Sequence, residues 1–89
     1  DGSNVQISVQ ADLPMTPQNY VKSIYIISDK NRRPLNAKFS FTPDLGKAFI
    51  ATSIRLGMTT DVRAVVELSD GNLYTVKREV RVTMGGCGG

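Results

Sequence analysis

Apolar residues recur at every second position through most of this chain and nowhere at helical spacing, a period that commits it to β-strands. Val5, Ile7 and Val9 alternate with Gln6, Ser8 and Gln10 before Pro14 and Pro17 interrupt, which predicts a strand followed by a loop. The stretch from Tyr20 to Ser28 is denser in Ile, Val and Tyr, the composition of a central strand buried on both faces. Asp29-Lys30-Asn31-Arg32-Arg33-Pro34 ends it. Ala37, Phe39 and Phe41 share one face of a short strand closed by the turn formers of Thr42-Pro43-Asp44-Leu45-Gly46. Ala48, Ile50, Thr52, Ile54 and Leu56 resume the pattern as far as Gly57.

The last unit is the clearest. Val62, Ala64, Val66 and Leu68 lead into Ser69-Asp70-Gly71-Asn72, where Asp-Gly supplies the positive backbone angles of a tight hairpin. The return strand puts Tyr74, Val76, Val80, Val82 and Met84 on one face, with Arg78 intruding on it. An isolated charge there is costly unless it sits at a bulge of an edge strand, with its guanidinium in water, or meets a subunit partner. Six strands with short polar connections and no βαβ unit predict an all-β, antiparallel, immunoglobulin-like β-sandwich over residues 1–84. Its tryptophan and disulfide are missing, so that likeness is architectural. At 89 residues the chain fits one domain with one modest core.

The net charge of +3 comes from eleven basic residues scattered between Lys22 and Arg81 with acids among them, not the clustered footprint that nucleic acid requires. Runs such as Ile24-Tyr25-Ile26-Ile27 are too short to cross a bilayer. The polar start Asp1-Gly2-Ser3-Asn4 is not that of a signal peptide, which fits a cytosolic chain or a processed one. With one cysteine and no histidine, neither an internal disulfide nor a zinc-site spacing can be built.

That one cysteine stands in Gly85-Gly86-Cys87-Gly88-Gly89, residues 85–89, five positions with a single side chain among them. Glycine leaves such a tail flexible and thin. Extended, it reaches roughly 17 Å at about 3.4 Å per residue, enough to carry a thiol into another protein's cleft. Its pKa is expected near the ordinary thiol value of about 8.5, since no histidine or electropositive neighbour is there to activate it. Loading and unloading would then fall to other proteins, which marks a carrier and not an enzyme. A glycine tract with one cysteine also fits a conjugation tag or a tail with an incidental thiol, on an immunoglobulin-like interaction module whose sheet faces do the work.

The tail, set directly after Val80-Arg81-Val82-Thr83-Met84, resembles the signature of the SoxY family, the sulfur-carrier subunits of the bacterial Sox pathway of thiosulfate oxidation. Val21-Lys22-Ser23-Ile24-Tyr25-Ile26, Asp29-Lys30-Asn31 with Pro34, Phe39-Ser40-Phe41-Thr42-Pro43 and Ser69-Asp70-Gly71 are similar to segments of that family in the same order. The resemblance implies a periplasmic domain paired with SoxZ as a heterodimer, with no cofactor beyond the sulfur bound covalently to Cys87. It implies that the haem protein SoxAX couples thiosulfate to Cys87, that the manganese hydrolase SoxB releases sulfate, and that SoxCD, where present, oxidises the remaining sulfur. Gly85, Gly86, Gly88 and Gly89 would form the swinging arm. Lys77, Arg78 and Arg81, on the strand that feeds it, would offset the charge of an anionic cargo, or else Lys77 and Arg81 simply form a solvated strand face. The family usually carries an export signal and further residues before the first strand shared here. An exported thiol on such an arm also predicts Cys87 to Cys87 disulfide dimers, or other homo-oligomers, in isolation.

Overall fold

The alternating segments fold as strands in the order their sequence dictates, in a computed structural model that describes residues 3–82. They are β1 (Ser3–Ala11), β2 (Met15–Thr16), β3 (Asn19–Ser28), β4 (Leu35–Ser40), β5 (Ala48–Leu56), β6 (Thr60–Leu68) and β7 (Leu73–Val80), with a single 3-10 turn at Pro43–Leu45. All pairings are antiparallel. β1 and β5 make a two-stranded sheet. The second sheet runs β2-β3-β6-β7, and β4 also pairs with β3. Their inner faces pack together as the expected antiparallel sandwich. The two-residue β2, between Pro14 and Pro17, is a seventh strand too short to show any period.

The core forms where the sheets face each other. Val21, Ile24, Ile26, Ala48 and Leu56 are fully buried, with Ile50, Ile54, Val62, Ala64, Val66 and Leu68 close behind. From β1, beside β5 in the smaller sheet, Val5, Ile7 and Val9 pack against them. In β6 the alternation is complete, every second residue from Thr60 to Leu68 being buried.

β3 departs from strict alternation. Val21 is opposite Leu68 and Ser23 is opposite Glu67, so Lys22 is an extra residue in the strand. The bulge switches the parity of the core face, which lets Val21 before it and Ile24, Ile26 and Ser28 after it all point inward. Two-face burial of this strand is corrected: Tyr25 and Ile27 on its outer face are only half-buried. Among the described residues no second layer covers them. Tyr25 is screened instead by long side chains, with its hydroxyl 3.2 Å from Glu67 Oε1 and Lys38 Nζ lying 5.4 Å from its ring centre.

The β6–β7 turn is corrected too. Only Gly71 takes a positive φ, +94°, and no non-glycine residue among those described does so. The Gly71 N–H donates to the Leu68 carbonyl at 2.9 Å, and the Asp70 carboxylate accepts from the Asn72 N–H at 2.9 Å. A Cβ at position 71 would meet nothing within 4 Å, so substitution there is penalised by backbone conformation and not by a clash. Gly71→Ala should therefore lower the unfolding free energy by about 1–2 kcal/mol, read from urea midpoints.

Candidate functional site

Cys87 and the glycines Gly85, Gly86, Gly88 and Gly89 lie outside the described residues, as do Thr83 and Met84. What the structure does define is the end of the sandwich from which they continue. β7 stops at Val80, and the backbone is then held at Val82 by one side chain. Thr59 Oγ1 accepts a hydrogen bond from the Val82 N–H at 2.9 Å, and the same hydroxyl lies 3.5 Å from the Val82 carbonyl.

The ground beneath that anchor is tied on several sides. Thr60, opposite Val80 in the ladder, is fully buried and accepts the Lys30 N–H at 2.9 Å. The Asp29 N–H donates to the Asp61 carbonyl at 3.0 Å. Arg63 grips the Asp29 carboxylate in a fork, with Nε 2.9 Å from Oδ1 and a terminal nitrogen 2.9 Å from Oδ2. The tail thus leaves from a point fixed by β6 and by the β3–β4 loop.

The Arg63 hydrogen bond holds the Asp29 carboxyl below the usual carboxylate range; desolvation opposes it, and the Arg63 and Lys77 charges add to the lowering. A carboxyl depressed on folding contributes stability that is fully present above its unfolded value of about 3.9 and lost as pH falls through the folded value. The thermal midpoint of Asp29→Asn should therefore fall slightly below wild type at pH 6, and the two should converge below about pH 3. A gap unchanged at low pH would contradict this.

On the strand that feeds the tail, Lys77 Nζ lies 3.7 Å from Asp61 Oδ2 and Arg81 Nε lies 3.6 Å from Glu79 Oε1, each with an exposed side chain. These two charges form a solvated face. Arg78 does not sit at a bulge: the β6–β7 register runs unbroken from Thr60 opposite Val80 to Glu67 opposite Leu73, with Val62 facing Arg78. Its exposure comes from β7 being an edge strand, paired with β6 alone. The larger correction concerns the whole strand. Tyr74 and Val76, expected on a core face, are exposed.

Thr59 and Thr60 carry no signal in the sequence that would single them out. Their roles depend on which backbone groups the fold brings to them. Among the described residues, no three of His, Cys, Asp and Glu gather closely enough to hold a metal ion. None of those residues forms a helix long and apolar enough to cross a membrane.

The described residues form a small all-β domain held at Val82 by Thr59, and the one cysteine follows five residues later in the sequence. The chain belongs to the SoxY family: the sequence pattern described as "Sulfur oxidation protein SoxY" matches residues 1–87, a span that includes Cys87. In three dimensions it is similar to the sulfur carrier protein SoxY from Chlorobium limicola f thiosulfatophilum, at 28% identity and a TM-score of 0.76, over 94% of this chain and 70% of that one. Among proteins with curated descriptions, none matches the sequence.

Proposed function

We propose that this protein is a covalent carrier of sulfur in thiosulfate oxidation, with Cys87 as the attachment point. The observation that carries the reading is one cysteine in the whole chain, inside the family match and five residues beyond the backbone that Thr59 anchors. A carrier needs a rooted arm and a reactive tip, and it needs no acid, base or metal of its own.

In the first step the Cys87 sulfur bonds to the outer sulfur of thiosulfate. The thiol proton and two electrons leave, and the haem protein SoxAX takes the electrons. The product is a cysteine S-thiosulfonate. SoxB then adds water across the bond to the terminal sulfonate, which releases sulfate and two protons and leaves a persulfide on Cys87. SoxCD oxidises that sulfur further where it is present. Tethering keeps these anionic, reactive species at high local concentration between steps. Gly85, Gly86, Gly88 and Gly89 provide the slim arm that enters each active site, SoxZ is the standing partner, and the periplasm is the compartment.

Intact mass spectrometry tests this. After incubation with thiosulfate, SoxAX and an electron acceptor, the chain paired with SoxZ gains the mass of one thiosulfate adduct, which reductant removes. An unmodified Cys87 under those conditions would reject the carrier reading.

A further inference from the structure

The ladder between β6 and β7 ends before the apolar alternation of the last strand does. Its final pair is Thr60 opposite Val80, and the same register carried further would set Val82 opposite Met58. Met58 lies outside the strands, because the β5–β6 connection of Gly57, Met58 and Thr59 bends away between Leu56 and Thr60. Val82 is held all the same. Its side chain packs against the core, and its N–H donates to Thr59 Oγ1 at 2.9 Å. A hydroxyl takes the place of the missing rung.

The base of that hydroxyl is well tied. The connection is only three residues long, and the residues that flank it, Leu56 and Thr60, are fully buried. Thr60 also accepts the Lys30 N–H at 2.9 Å, which joins the same turn to the β3–β4 loop. A β-branched side chain is stiff about its first torsion, so Oγ1 has few other places to go. The clamp is made by a side chain and not by the ladder, so it can be removed without breaking a single β6–β7 backbone hydrogen bond.

We infer that Thr59 is a positioning residue for the chemistry at Cys87, an inference that rests on the carrier reading above. By holding Val82 it sets the chain between the last fixed backbone and the thiol at five residues, a reach of roughly 17 Å at about 3.4 Å per residue. Without the hydroxyl, the last backbone held by hydrogen bonds is Val80, and the tether becomes seven residues, or roughly 24 Å. A longer tether dilutes what it carries. With effective concentration falling as the −3/2 power of length, the thiol is diluted about 1.7-fold at a docked enzyme's active site. Thr59 touches neither the thiol nor its cargo, and acts through reach alone.

The test compares Thr59→Val, which keeps the shape and removes the hydroxyl, with Thr59→Ser, which keeps the hydroxyl, each paired with SoxZ. In Thr59→Val the Val82 amide should exchange with solvent about fivefold faster or more. The kcat for loading by SoxAX should fall about twofold while the KM for the carrier stays in place, because docking is untouched and only the step after it is diluted. Thr59→Ser should restore both. A merely structural role gives the other split: a partly unfolded carrier lowers the working concentration, which raises the apparent KM and leaves kcat unchanged. Cys87 should react with a small aromatic disulfide at one rate in all three chains, since the thiol itself is unaltered. Unchanged Val82 exchange in Thr59→Val, faster exchange with wild-type kcat, a raised KM alone, or a changed rate with the small disulfide would each overturn the inference. A wild-type chain that gains no thiosulfate adduct would instead reject the carrier reading, and this inference with it.

Discussion

Cys87→Ser should abolish sulfur loading outright while leaving the sandwich and its partner contacts intact. There is no other sulfhydryl in the chain, and a serine hydroxyl cannot form the sulfur-sulfur bond through which thiosulfate would be held. The loss should therefore be complete in coupled thiosulfate turnover, not a partial slowing. Removal of residues 85–89 should match it in turnover. The serine variant differs in one respect, since it retains the whole tail: added in excess to a reconstituted system, it should compete with wild type for the enzymes and inhibit, whereas the truncated chain should compete less well. A thiosulfate adduct on the serine variant, or turnover above the no-protein background, would place the chemistry elsewhere. An interaction module with an incidental thiol predicts the opposite pattern, with both variants fully active.

Much of this was legible in the sequence, for reasons that differ by residue. β6 was plain because a strand packed on one face writes its burial directly as a two-residue period, Val62, Ala64, Val66 and Leu68 inward. β1 and β5 were plain for the same reason. The Lys22 bulge was not, because an extra residue shifts the period without leaving a mark of its own in so apolar a segment. Burial of β7 was misread on a more general ground: alternation tells which residues share a face, and says nothing about whether another element covers that face. Tyr74 and Val76 alternate as faithfully as Val62 and Ala64 and are open.

The candidate site divides in the same way. Cys87 stood out because a lone thiol among glycines is visible without any fold. Thr59 did not, because its part is to receive the Val82 N–H from 23 residues away in sequence, a pairing only tertiary structure creates. Arg78 was noticed as a charge out of pattern. Two explanations were open, a bulge with the guanidinium in water or a contact with another chain. The unbroken register removes the bulge, and Arg78 stands exposed on an edge strand.

Two alanine substitutions on the same alternating pattern should separate covered positions from uncovered ones. Ile24 is fully buried in the middle of β3, where it meets both the β6 residues beside it and the sheet opposite. Ile24→Ala removes three heavy atoms from a packed core and should lower the unfolding free energy by about 2–5 kcal/mol. Against a total of about 5–15 kcal/mol for a domain of ordinary stability, that is enough to move the urea midpoint by a large fraction of its value. Val76→Ala, on the exposed face of β7, should stay within about 0.5 kcal/mol of wild type in the isolated chain, because there is no packing to lose. A large stability loss from Val76→Ala would show that β7 is covered in solution.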